Sequence, residues 1–499
     1  MDYPFSNSPC PCLKRVLGEV RSLEQAQEIR LTDGMPDIGR VLCGWGQILQ
    51  RSKEWNGDCV TLSAGMMVWV LYAPEDGSKV RCVEGWIPFS MSWDLPETVP
   101  EGKIRVACLT RFVDARSVSA RKIMVRAGIG AMAEAFVPFE AQVFGPQSEP
   151  GDVELKKVRY PLQIPVEAGE KTFDLEEVLN LPGTVPTMEK LILATLEPEV
   201  LEQRVMTDKV VYRGSCDVHI LYEGSEGKLH SWDFSLPFNQ FAELEGSCSQ
   251  EAQASVCCAV TGLEVEMTDE NSLSLKAGLT GQYLIQDQKI LEIVEDAYCP
   301  GRELSIHQEN LEISRILEQR KDTVTAEVSI PADGEVAVDV VFLPDFPRQR
   351  RSEDTVTAEL SGTFQVLYYG PGGELQAAVS RWEDTKSLSI HQQVFMTAQL
   401  LAPAEPQILM GSGDMKVRTE LPLLMQSEAE AGIPMVTGLT LGEDREPDPG
   451  RPSLILRRAG DRDLWELAKA SGSTVGAIRE ANHLEEDPAP GQMLLIPIL

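Results

Sequence analysis

The sequence is short of positive charge, and it has no long apolar run and no recognisable catalytic motif. Its 499 residues carry 45 Lys and Arg against 77 Asp and Glu, a formal charge of −32. That balance argues against a general binder of nucleic acid or of anionic membrane, because such a surface repels phosphates. The N-terminal stretch MDYPFSNSPCPCLKRVLGEV lacks an apolar core after a basic start, so it does not read as a secretory leader. The most apolar run, 66-MMVWVLYA-73, is too short to span a bilayer. A cytosolic protein without membrane insertion is expected.

Chemistry-bearing residues are equally sparse in pattern. The 11 cysteines form no CxxC pair and stop at Cys299, which fits reduced thiols better than a disulfide framework. Cys10-Pro-Cys12 has the chemistry for a metal or a redox switch but stands alone. His219, His230, His307, His391 and His483 are scattered, with no HExxH or CxxC…H spacing, so no metal is expected. There is no G-x-S-x-G elbow and no P-loop. The run 128-GIGAMA-133 satisfies G-x-G-x-x-A, yet the corresponding slots 278-GLTGQY-283 and 420-ELPLLM-425 lose it, so no dinucleotide cofactor is expected. No cofactor and no enzymatic activity are expected.

What the sequence does hold is a repeat. The stretch 67-MVWVLYAPEDGSKVRCVEGWIPF-89 matches 217-DVHILYEGSEGKLHSWDFSLPF-238, and 365-QVLYYGPGGELQAAVSRWE-383 is a third copy. Tyr72 and Tyr222 lie 150 apart, as do Pro36 and Pro186, and Val125 and Leu275; Tyr368 follows Tyr222 by 146. Self-similarity at one offset is the mark of tandem units. Each copy is a strand, a Gly-containing turn and a second strand, a hairpin signal. Short alternating runs of Val, Ile, Leu, Tyr and Thr suit strands with one buried face. The recurring tyrosines then belong to the core.

The expected fold is mainly β: three tandem sandwich- or barrel-like units and a small C-terminal βααβ domain. The units are placed at 1–148, 155–310 and 311–441, the third diverged, with a linker at 442–452 and the last domain at 453–499. A helix is allowed over 12–29, where Leu and Val recur at helical spacing. The segments 145-GPQSEPGDVE-154 and 442-GEDREPDPGRPS-453 read as linkers. Arg116, Arg121, Lys122 and Arg126 form a basic cluster, either a solvated strand face paired with carboxylates or a self-assembly patch. Arg348, Arg350 and Arg351 are assigned to an exposed turn.

The terminal stretch has its own punctuation. Leu454–Arg457 reads as a strand; Asp463, with Glu466 three residues on, is an N-cap in capping-box spacing, and Gly472 is a stop. Ser473 or Thr474 caps a second helix, and 493-MLLIPI-498 closes the module with a strand. These residues resemble a LysM domain through Leu464-Trp465, Ala468-Lys469, Thr474-Val475, Ile478, Asn482, Pro490-Gly491-Gln492 and Ile496-Pro497. The helix entrance departs from that pattern: 460-GDRDLW-465 has an extra residue, and Arg462 and Asp463 replace the small hydroxyl. In sugar-binding LysM domains the entrance loop and the loop after helix two contact N-acetylglucosamine chains. The resemblance therefore nominates Gly460, Asp461, Arg462, Asp463, Trp465, Asn482, His483 and Pro490 as partner- or glycan-binding residues. Arg457, Arg458 and Arg462 suggest a basic rim beside Trp465.

The repeats are similar to SPOCS repeats through 115-ARSVSARKIMVRA-127. Tandem SPOCS repeats ahead of a C-terminal LysM resemble the SipL-like spore coat morphogenetic proteins of anaerobic spore-forming Firmicutes. That resemblance implies a noncatalytic protein of the mother-cell cytoplasm, recruited to the forespore surface with the coat-basement ATPase and other spore coat proteins. LysM would serve as a protein-docking module; the alternative is peptidoglycan binding through LysM.

Overall fold

A computed structural model describes residues 2–148, 151–332, 336–351, 355–389, 395–400, 403, 405–411, 413–445, 450, 452–459, 463–489 and 491–499. The first unit folds as two antiparallel three-stranded sheets. Cys10–Arg30 lies beside Lys122–Ala141, which in turn pairs with Lys103–Ser119; the meander Ile38–Trp55, Cys59–Pro74 and Arg81–Asp94 forms the other sheet. Alternation puts one face of each sheet into a shared core that includes Val60, Leu62, Tyr72 and Trp93 from one and Ile123, Val125 and Ile129 from the other. This is a β-sandwich. The second unit repeats it with Glu154–Asn180, Ser272–Tyr298 and Gln253–Asp269 against Met188–Val205, Lys209–Gly224 and Leu229–Glu243. In the third, Arg302–Pro331 pairs with Asp414–Asp444, and Val336–Pro344, Thr355–Tyr369 and Leu375–Ser389 form the facing sheet.

The likeness between units extends to their irregularities. Register shifts fall at Val41/Cys43, Leu191/Leu193 and Ala337/Asp339 in one sheet, and at Arg15/Leu17, Pro165/Glu167 and Ile316/Glu318 in the other. A bulge bends a strand and changes which face its side chains reach, so it is a designed feature of a repeat. The hairpin turns agree as well: Gly77, Gly227 and Gly373 have φ of 73°, 78° and 77°. Each sits in the left-handed region that glycine enters without a Cβ penalty. Tyr72 and Tyr222 are fully buried, and each hydroxyl donates to a proline carbonyl 36 residues upstream, Pro36 at 3.0 Å and Pro186 at 3.1 Å. Tyr368 is buried too, but its hydroxyl donates to the Gln376 side chain at 3.0 Å.

The structure corrects four readings of the sequence. Arg348–Arg351, assigned to an exposed turn, form a short strand paired with Val356–Glu359. Residues 12–29 are not helical but belong to the 21-residue strand Cys10–Arg30. The bulge at Arg15/Leu17 shifts the alternation mid-strand, and the broken period mimics helical spacing. The 310/311 boundary falls inside the strand Arg302–Pro331, which belongs wholly with the third unit. The start of the 442–452 linker is strand up to Asp444, and residues 446–449 and 451 lie outside the described residues.

All three units meet at two apolar junctions. One gathers Cys43, Trp45, Trp69 and Leu71 with Ile192, Leu193 and Leu221 and with Val338, Leu367 and Leu375. The other joins the far ends of the long ribbons: Cys12 and Ala141, Leu162 and Ile293, Leu311 and Ile433. The chain start closes the arrangement, since Asp2–Tyr3 pairs with Leu439 and Thr440 of the last long strand. Gln47 Oε1 accepts from Leu196 N at 2.7 Å, and Gln282 exchanges two 2.9 Å bonds with the Val106 backbone, so polar contacts also tie units one and two.

Candidate functional site

The terminal module is built from its caps outward. The Asp463 carboxylate accepts from Glu466 N at 2.8 Å and opens the helix Leu464–Ser471, which Gly472 ends in the left-handed conformation. Thr474 Oγ1 accepts from Ala477 N at 3.0 Å and opens Val475–Asn482. Leu454–Arg458 and Met493–Pro497 form a two-stranded antiparallel ladder. Leu464, Leu467, Ala468, Ile478, Leu494 and Ile496 make the core, and Tyr298 of the second sandwich joins them.

Tyr298 shows where the module sits. Trp465 is half-buried; its ring meets Tyr298 edge-on at 4.8 Å and its Nε1 donates to Asp296 Oδ2 at 2.8 Å. Lys469 Nζ reaches both Asp296 oxygens at 2.8 and 2.7 Å. Lys156 Nζ lies 3.7 Å from Asp463 Oδ2. Burial would raise the Asp296 pKa, but the bonds from Lys469 and Trp465 outweigh it and hold the carboxyl below its usual range. The ionised carboxylate at the end of Ser272–Tyr298 thus clamps the entrance of the module's first helix to the second sandwich.

The nominated residues are therefore spread over different tasks. Trp465 and Asp463 face the second sandwich. Asn482 Nδ2 donates to Ile478 O at 2.8 Å and to Leu495 O at 2.6 Å, while its Oδ1 accepts from Leu495 N at 2.8 Å. That amide locks helix two to the closing strand. His483 is exposed and adopts φ 52° as the helix C-cap. Gly460, Asp461, Arg462 and Pro490 lie outside the described residues; Arg457 and Arg458 are exposed on the ladder. The residues that sequence reasoning missed are Asp296, Tyr298 and Lys156. They sit more than 160 positions from Trp465 and carry no motif.

The other candidate chemistry resolves into packing. Arg121 donates to Asp37 at 2.9 Å and to the Met35 and Thr32 carbonyls at 3.0 Å each, pinning the turn before the second strand. Lys122 pairs with Glu28 at 3.1 Å, and Arg126 lies 3.6 Å from Glu24 and 3.7 Å from Asp114. These contacts match the reading of a solvated strand face paired with carboxylates. Gly128 lies within the strand Lys122–Ala141, where a Cβ would come 2.3 Å from the Phe112 ring, so its glycine serves close packing. Burial pushes the Cys12 thiol up to about 11 and the Cys82 and Cys108 thiols to about 12. Such thiols stay protonated and poorly nucleophilic. Among the described residues no group of three or more His, Cys, Asp or Glu is arranged to hold a metal, and no helix is long and apolar enough to cross a membrane.

Two family models match the chain: the SipL, SPOCS domain over residues 187–268 and the LysM domain over residues 458–497. The first match runs through the meander sheet of the second sandwich and into the strand Gln253–Asp269. No curated protein and no solved structure matches. Residues 187–268 are thus similar to the SipL, SPOCS domain and residues 458–497 to the LysM domain, the order found in a SipL-like protein with a C-terminal LysM.

Proposed function

We propose that this chain is a noncatalytic scaffold of spore coat assembly, docking through LysM and the β repeats onto a coat-basement protein, the morphogenetic ATPase, at the forespore surface. SPOCS and LysM are noncatalytic domain families, and together they fit a sporulation protein with a peptidoglycan-binding type of module. The observation that carries the protein-docking reading is the seat of Trp465. A LysM that grips a glycan through the entrance of its first helix needs that entrance open, whereas here the indole is engaged by Asp296 and Tyr298. Several modest surfaces on one body give avidity to a lattice without one large interface.

The LysM match itself favours the second reading, peptidoglycan binding. The full-length chain, offered in parallel to insoluble peptidoglycan and to immobilised coat-basement ATPase, separates them. Retention by the ATPase with none on peptidoglycan is expected. Sedimentation with peptidoglycan and no capture by the ATPase would overturn the scaffold reading.

A further inference from the structure

Cys10 and Cys12 stand two apart at the start of the strand Cys10–Arg30, and alternation turns both thiols to one face. That face packs into the second apolar junction of the three units, with Cys12 in its core and Cys10 against it. It also borders a cavity of about 930 Å³, which both cysteines line together with Leu13, Val143, Val166 and Ile290. Both thiols are free, Cys12 buried and Cys10 half-buried. One sulfur is therefore shielded, and its neighbour can be reached from the cavity.

Strand geometry decides what such a pair can hold. Residues two apart on a strand are about 6.7 Å apart, whereas a disulfide holds its Cβ atoms at about 3.8 Å. Pro11 stands between them and fixes one backbone angle, so an internal disulfide is disfavoured. Two sulfurs that lean together can instead share one ion, with metal–sulfur bonds of about 2.3 Å. Among the described residues no third His, Cys, Asp or Glu completes a metal-holding group. Two glutamates of the cavity wall are engaged elsewhere: Glu167 accepts from Glu245 N at 3.1 Å, and Glu292 lies 3.2 Å from Arg159. Four-coordinate zinc and the oxygen-ligated cations are therefore short of ligands. Soft thiolates select the cuprous ion, for which two sulfurs in line suffice. We propose that Cys10 and Cys12 bind one cuprous ion between their sulfurs. Binding makes two S–Cu bonds and releases both thiol protons to water, and neither sulfur nor copper changes oxidation state.

Anaerobic titration of Cu(I), buffered by the chelator bicinchoninate, into the reduced full-length chain tests this. Cys10→Ala is the informative variant, because it removes the half-buried thiol and leaves Cys12 in the core. Cys257→Ala is its control, removing an equally half-buried thiol from the strand Gln253–Asp269. The wild type should withdraw a single Cu(I) from the chelator. A ligand should matter more than the outer-shell groups whose loss costs about 10–100-fold in metal affinity, so Cys10→Ala should bind more than about 100-fold more weakly. Cys257→Ala should bind as the wild type does. No uptake by the wild type, or equal affinity in Cys10→Ala, would overturn the proposal. Loss of binding in Cys257→Ala would also overturn it, as would displacement of the bound Cu(I) by an equal concentration of Zn(II), which would mark a site with further ligands.

Discussion

The first two sandwiches and the third share their bulges, yet differ at one buried position. Cys43 and Leu193 follow the bulge opposite the recurring tyrosine, and the third unit places Asp339 there. The carboxylate is 4 % exposed, and its Oδ2 accepts from Trp45 Nε1 of the first unit at 2.9 Å. Its Oδ1 lies 3.2 Å from His219 Nε2 of the second unit, whose Nδ1 is 2.6 Å from Asp233. Trp69, His219 and Gln365 occupy equivalent places opposite Trp45, Thr195 and Val341. The third unit's divergence is thus complementary: an apolar spot in two copies became a carboxylate that accepts the Trp45 N–H of one neighbour and lies at ion-pair distance from His219 of the other. Burying a polar group is tolerable only when its partners are present, which favours one arrangement of the three units over alternatives.

The largest effect should come from removing that acceptor. Asp339→Ala leaves the Trp45 N–H and the His219 ring without it and should cost about 3 kcal/mol in urea unfolding. The equivalent change Leu193→Ala also creates a cavity, so the sharper comparison is Asp339→Leu, which matches the second unit's residue and should still destabilise. A neutral result would mean the junction is apolar packing alone.

The same junction should respond to pH. Burial lowers the His219 pKa, but Asp339 and Asp233 outweigh it and push it up to about 10. The ordinary value is about 6.5, so the ring stabilises the fold fully below that value and the contribution is lost as pH rises through about 10. Stability should fall over that window in the wild type and fall less in His219→Gln. Matching pH profiles would separate His219 from the junction.

The conserved half of the comparison makes the next prediction. Tyr72→Phe and Tyr222→Phe each lose a bond to a proline carbonyl and should cost about 1 kcal/mol each. Tyr368→Phe, whose partner is a side chain able to turn to water, should cost less. A reversed order would break the equivalence of the first two tyrosines.

Much of this was legible in the sequence because a repeat states the same constraint more than once. Tyr72, Tyr222, the two prolines and the turn glycines recur at one spacing, and the structure puts each pair in the same environment. The N-terminal strand was misread because a single bulge broke its period of two. The junction of Trp45, His219 and Asp339 was invisible, since each comes from a different unit and none belongs to a motif. In LysM the caps at Asp463, Gly472 and Thr474 could be read locally, whereas the role of Trp465 depends on Asp296 and Tyr298, which only folding brings near.

That dependence is also where the account is most exposed. Hydrogen–deuterium exchange of the helix Leu464–Ser471 in the full-length chain, wild type against Asp296→Ala, tests whether the LysM entrance is seated on the second sandwich. Charge-assisted bonds to Asp296 contribute about 1.5 kcal/mol or more, so exchange in that helix should accelerate about tenfold while the strands of the first sandwich are unchanged. Identical protection in the two proteins would contradict the seated module, and with it the observation on which the docking function rests.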